Sequence, residues 1–172
     1  MAEDLNIIQG SKEEQYQALI PQIQGLLTGE NNLIANLANM AAALKEQFGW
    51  WWVGFYMIIE DELVLGPFQG PVACTRIKKS RGVCGAAWAA EKTLIVEDVE
   101  KFPGHIACSS ASKSEIVVPV FQNGQITGNI DGFYNNWCGG EPNDASNEDY
   151  AVTKWSGGTC WNDVNGTNSN VA

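Results

Sequence analysis

The sequence is short of cations. Ten Lys and Arg stand against twenty Asp and Glu, a formal net charge of −10. Phosphate backbones and anionic bilayers would be repelled, which argues against nucleic acid and membrane as partners. No apolar run is long enough to span a bilayer. The first residues, Met1-Ala2-Glu3-Asp4, are acidic and have no apolar h-region, so no secretory leader is expected and a cytoplasmic location is. No two cysteines have CxxC spacing, so a structural zinc site gets no support. There is one histidine, His105. No internal repeat and no heptad pattern is present.

What is there fits a packed protein. Of 172 residues, 45% are hydrophobic and seven are Trp, which excludes a disordered chain. The length suits one domain, or one domain with an appendage. Five cysteines in a reducing compartment read as thiols, redox catalysts or metal ligands before structural disulfides.

The character of the chain changes near Gly132, which suggests a domain over residues 1–132 and a separate segment over 133–172. Ser11 and Glu14 fit a capping box. Tyr16, Leu19, Ile20, Ile23, Leu26 and Leu27 then recur at helical spacing, with Pro21 expected to bend or interrupt the helix. A second helix is expected from about Asn31 to Gly49. Trp50 to Ile59 reads as a strand buried on both faces. Asp61-Glu62 turns into a strand from Leu63 to Phe68, which Gly66, Pro67 and Gly70 should shorten. Residues 71–81 read as irregular or short strand. Gly82-Val83-Cys84-Gly85 leads into a small-residue helix over Ala86 to Ala90, and Thr93 to Val96 is a short strand. Val99 to Lys113 reads mostly as loop. Glu115 to Phe121 and Gln125 to Ile130 form a hairpin through Asn123-Gly124, a dipeptide that favours positive φ at both positions. From Phe133 onward the chain is rich in turns. Helices first and then an antiparallel sheet give an α+β fold, with the N-terminal helices covering one sheet face.

Three cysteines lie in Gly- and Ser-containing loops. A thiol becomes a nucleophile as the thiolate, whose pKa falls near helix N-termini and cations. Cys84 stands just before an expected helix start, with Arg81 nearby. Cys108 lies in the polar loop Gly104-His105-Ile106-Ala107-Cys108-Ser109-Ser110. Cys74 lies beside Thr75-Arg76. Taken singly, each cysteine is as readily a small buried hydrophobe, and His105 reads as loop-ordering or solvent-facing.

Six segments occur in an informative order: Trp52-Val53-Gly54-Phe55-Tyr56, Leu65-Gly66-Pro67-Phe68-Gln69-Gly70, Ala73-Cys74-Thr75-Arg76-Ile77, Arg81-Gly82-Val83-Cys84-Gly85, Gly104-His105-Ile106-Ala107-Cys108 and Ser112-Lys113-Ser114-Glu115-Ile116-Val117. Together they resemble the free methionine-(R)-sulfoxide reductases, single-domain enzymes of GAF fold, over about residues 13–131. The resemblance implies thiol-dependent reduction of free methionine-(R)-sulfoxide to methionine, with no cofactor. Cys108 would attack the sulfoxide sulfur and become a sulfenic acid. Cys74 would resolve it as a disulfide, Cys84 would be an auxiliary thiol, and a thioredoxin-type dithiol would reduce the bridge. Trp52, Tyr56, Glu115 and Asp131 would hold the substrate, with Trp52 on its methyl group and the carboxyls at its polar end or the sulfoxide oxygen. A homodimer is a further expectation. The chain departs from the family at Phe133, where a second Asp is usual, and in lacking a C-terminal amphipathic helix.

The last segment carries a different signal. Trp137-Cys138-Gly139-Gly140-Glu141-Pro142-Asn143, Glu148-Asp149-Tyr150 and Cys160-Trp161-Asn162-Asp163 resemble the sugar-binding end of C-type lectin-like domains. Calcium takes six to eight oxygen ligands, and Glu141, Asn143, Glu148, Asn162 and Asp163 are the candidates. The alternatives to the reductase are therefore a calcium-dependent module for mannose-type sugars and a non-catalytic GAF module that binds a small ligand.

Overall fold

Ser11 opens the first helix as its sequence asks. Its hydroxyl accepts from the Glu14 N–H at 3.2 Å, and Glu14 Oε2 accepts from the Ser11 N–H at 2.8 Å. The computed structural model describes residues 4–106, 111–134, 150–153 and 161–164. Helix α1 spans Lys12–Leu27 and runs through Pro21 without the expected interruption. Proline takes away the N–H that the Gln17 carbonyl would receive. Both residues are exposed, so water can take that place. Helix α2, Leu33–Phe48, is capped by Asn32 and closes on Gly49, whose φ of 63° is left-handed.

A six-stranded sheet follows, every pairing antiparallel. Its strands are β1 (Trp52–Ile59), β2 (Glu62–Gln69), β3 (Arg76–Lys78), β4 (Leu94–Val96), β5 (Ser114–Gln122) and β6 (Gln125–Tyr134), in the order β3-β2-β1-β6-β5-β4. The α+β expectation holds, with α1 and α2 on one face. Leu19, Ala43, Leu44 and Val53 form the core there. Helix α3, Gly82–Ala90, packs near the other face, where Trp52, Tyr56, Leu63, Val83, Ala87 and Val117 form a second core. β1 therefore has buried side chains on both faces, as its composition demands.

Two local expectations are corrected. Gly66 and Pro67 do not shorten β2. They stand together opposite Phe55, between the pairs Gly54–Phe68 and Tyr56–Leu65. This is a bulge, and a bulge tolerates a residue with no N–H to give. Gly82 to Gly85 do not precede α3 but form its first turn. Gly85 is needed for close packing: a Cβ there would lie 2.4 Å from the Lys78 carbonyl oxygen. The described residues between β4 and β5 are mostly loop, as expected, with one 3-10 turn, Val99–Lys101.

The hairpin between β5 and β6 turns at Asn123 and Gly124, with φ of 52° and 77°. β6 continues past Ile130 to Tyr134, so the compositional change at Gly132 falls inside a strand. In the last segment, β7 (Tyr150–Thr153) and β8 (Trp161–Val164) pair as a separate two-stranded sheet. No helix among the described residues is long and apolar enough to cross a membrane.

Candidate functional site

Strand register brings the acidic residues together. On β5 and β6, Val117 stands opposite Asp131 and Glu115 opposite Phe133. Glu115 and Asp131 are thus diagonal neighbours on one face. On the other side of β6, Asp131 faces Gly54 and Asn129 faces Tyr56. The period of two along each strand puts Glu115, Asp131, Asn129 and Tyr56 on the face toward α3.

Helix α3 lowers Cys84 onto this surface. The Asn129 amide donates to the Cys84 carbonyl at 2.9 Å, which fixes the first turn of the helix against β6. Cys84 Sγ then lies 3.2 Å from Asp131 Oδ2 and 3.7 Å from Glu115 Oε1. All three side chains are buried, with relative exposures of 4%, 1% and 6% for Cys84, Asp131 and Glu115. Asp131 Oδ1 has no hydrogen-bond partner.

Burial controls the protonation of the cluster. It pushes the Glu115 carboxyl up to about 7. It raises Asp131 well above the usual carboxylate range, and the neighbouring Glu115 charge adds to the effect. The two acids share protons as a pair. Cys84 is raised as well, first by burial and then by the two carboxylates. A helix N-terminus would lower a thiol pKa, but here desolvation and negative neighbours prevail. In this arrangement Cys84 is a protonated donor.

A pocket opens beside the cluster. Tyr56, Arg81, His105 and Ile106 line it together with Cys84, Glu115 and Asp131. His105, expected to order a loop or face solvent, is half-buried in this wall. Trp52 is buried and stacks with Tyr56 of this wall and with Phe68, at centroid distances of 6.2 and 5.5 Å. Gly54 makes that stack feasible. A Cβ there would lie 2.3 Å from Phe68 Cβ and 2.7 Å from the Trp52 ring.

Two hydrogen bonds secure the loop that carries Cys74. The Trp52 indole donates to the Pro71 carbonyl at 3.1 Å, and the Tyr56 hydroxyl donates to the Cys74 carbonyl at 2.8 Å. Cys74 is disulfide-bonded, whereas Cys84 is an unbridged thiol.

Of the residues expected at a substrate site, the structure brings Tyr56, Cys84, Glu115 and Asp131 to one pocket, whereas Trp52 is buried in the core and is not among the residues that line it. Cys108 lies outside the described residues. So do Glu141, Asn143 and Glu148 of the calcium set. Asn162 and Asp163 lie on β8, paired with Val152 and Ala151. Sequence reasoning missed Asn129, which anchors the helix carrying Cys84. Its signal was present: Asn129 and Asp131 are polar residues two apart in a strand, on the face of Tyr56.

The same arrangement has known relatives, although no family model matches the chain. It is 73% identical over 132 residues to GAF domain-containing protein A of Dictyostelium discoideum, covering 76% of this chain and 84% of the relative. It is 48% identical over 122 residues to the free methionine-R-sulfoxide reductase of Escherichia coli, covering 70% of this chain and 74% of that one. Among solved structures, the free methionine-R-sulfoxide reductase of Neisseria meningitidis in complex with its substrate is 52% identical, with a TM-score of 0.75. That match covers 77% of this chain and 80% of the other. At this identity and coverage, the chain belongs to the free methionine-R-sulfoxide reductase family, oxidoreductases built on the GAF fold.

Proposed function

We propose that this chain reduces free methionine-(R)-sulfoxide to methionine through a cysteine sulfenic acid and an intramolecular disulfide. The observation that carries the reading is the buried Glu115–Asp131 pair facing Cys84 on the pocket wall. A sulfoxide oxygen is a poor leaving group until it is protonated. A carboxyl held near 7 by burial is a general acid matched to neutral pH.

In the first step the Cys108 thiolate attacks the sulfoxide sulfur while the carboxyl pair protonates the oxygen. The oxygen passes to Cys108 as a sulfenic acid, methionine leaves, and the thiol sulfur has been oxidised by two electrons. In the second step the Cys74 thiolate attacks the sulfenic sulfur. A disulfide forms and the oxygen departs as water. A thioredoxin-type dithiol then reduces the disulfide by exchange and restores both thiols. A disulfide at Cys74 supports its part as the resolving thiol. Cys84, protonated and hydrogen-bonded, serves as the auxiliary thiol and helps position the carboxyls. Tyr56 on the pocket wall, supported by the buried Trp52 stacked with it, gives the apolar side toward which the substrate methyl group would turn. Such a cycle needs a reducing compartment, and the cytoplasm supplies one.

The test is direct. Purified protein with dithiothreitol and free methionine-(R)-sulfoxide should yield methionine by chromatography, and the (S)-epimer should not react. Cys108→Ser should abolish turnover. With a thioredoxin-type protein dithiol as sole reductant, Cys74→Ser should lose cycling but still release methionine stoichiometric with the protein. Binding of the sulfoxide without methionine production would instead identify a ligand-sensing module and refute the reading.

A further inference from the structure

The cluster of Cys84, Glu115 and Asp131 has a second chemical capacity. Their donor atoms, one sulfur and two carboxylate oxygens, lie within 4.8 Å of one another, and all three residues are buried. Zinc bonds thiolate sulfur at about 2.3 Å and carboxylate oxygen at about 2.0–2.2 Å, tetrahedrally. Those lengths set a sulfur–oxygen edge of about 3.6 Å. The observed edges, 3.2 and 3.7 Å, lie close to it on either side. Three such ligands with a fourth position open to the pocket match an open zinc site.

A second feature points independently to a ligand. Asp131 is 1% exposed, yet its Oδ1 makes no hydrogen bond. A buried acceptor left in that state is destabilising, and a cation would satisfy it. The donor set also selects the metal. A thiolate beside carboxylates suits a borderline-soft ion, whereas calcium and magnesium require oxygen alone.

We propose that Cys84, Glu115 and Asp131 bind zinc, and that the bound ion closes the pocket to substrate and makes the enzyme zinc-inhibited. The inhibitory half of this proposal rests on the function proposed above; the binding half does not. On binding, the ion replaces the Cys84 proton and draws both carboxyls into its coordination shell. The acids are then no longer available to protonate a sulfoxide. Inhibition is reversed when a chelator removes the ion.

Cobalt(II) is the probe for the binding half, because a thiolate ligand gives it a charge-transfer band in the near-ultraviolet. The full chain should show that band with one equivalent of cobalt, and zinc should displace it. The band should disappear in Cys84→Ser and persist in Cys138→Ser/Cys160→Ser. Asp131→Asn and Glu115→Gln should each weaken cobalt binding at least tenfold, with near-ultraviolet circular dichroism confirming that the variants remain folded. A band that survives in folded Cys84→Ser, or no band in the parent chain, overturns the site. For the inhibitory half, zinc should suppress methionine formation at least tenfold, and ethylenediaminetetraacetate should restore it. Undiminished turnover at saturating zinc overturns inhibition. A cobalt band in a protein that never forms methionine would support the metal site and refute the reductase function instead.

Discussion

Glu115→Gln offers a quantitative test of the buried acid pair. In the folded protein the Glu115 carboxyl sits at about 7 instead of 4.5 because burial penalises its charge. The folded state therefore keeps a proton that the unfolded chain has released by pH 5 to 6. Stability falls wherever the folded state binds more protons than the unfolded state and the pH is rising. The contribution from Glu115 is thus fully present below pH 4.5 and is lost as the pH climbs through 7. At about 1.4 kcal/mol per pH unit, the displacement corresponds to about 3 kcal/mol across that window. Asp131 acts in the same sense, since burial and its acidic neighbour raise it too. Urea unfolding of the oxidised protein from pH 4.5 to 8, without reductant, measures the effect. The informative quantity is the parent stability minus that of Glu115→Gln, because surface carboxylates cancel in the difference. It should decline by about 3 kcal/mol from pH 4.5 to 8, and the slope should flatten further in Glu115→Gln/Asp131→Asn. A difference that is constant with pH, or that rises, would mean Glu115 is ionised and solvated at neutral pH, and the general-acid role would fall with it.

Two further substitutions probe the scaffold. Gly54→Ala places a Cβ 2.3 Å from Phe68 Cβ and 3.0 Å from the Phe68 backbone; overpacking of this kind should cost about 1–3 kcal/mol in urea unfolding, with Trp fluorescence altered as the Trp52 stack shifts. Ser11→Ala removes one half of an observed capping box and should lower stability by about 1 kcal/mol, with methionine production unchanged because α1 lies on the sheet face opposite the pocket.

Much of this fold was legible because its signals are local. Ser11 and Glu14, Gly49, and Asn123-Gly124 each specify a cap or turn within a few residues. The aromatic and β-branched run of β1 announces a strand buried twice. The errors arose where tertiary packing reassigned a residue. Gly85 reads as part of the lead into a helix, but it stands in the first turn, where its lack of a side chain admits the Lys78 carbonyl packed against it. Pro67 reads as the end of a strand, but a bulge absorbs it. The site was legible in part. Cys84, Glu115 and Asp131 could be picked out by resemblance to a family, yet their meeting depends on the register of three strands and the placement of a helix. The protonation of Cys84 could not be read from its position near a helix start. It follows first from burial and then from two carboxyls that are 31 and 47 residues away in sequence.

Adjacent valines in β5 provide an internal control on the assignment of faces that underlies the site. Val117 is 0% exposed and belongs to the core under α3, whereas Val118 is 37% exposed on the other face. The residues are chemically identical, and they share a strand and a propensity. Only the alternation of side chains separates them. Replacing either by Ala removes the same two methyl groups. At position 117 they leave a void in the core, which should cost about 2–3 kcal/mol. At position 118 they are already partly in water, and the change should stay within about 1 kcal/mol. Val117 stands opposite Asp131 in the ladder, so the same register that buries its methyl groups also turns the Asp131 carboxyl toward Cys84. Urea unfolding of both variants at one pH decides the matter. Equal costs, or the larger cost at 118, would mean that β5 is displaced by one residue, and Glu115 would then face away from Cys84.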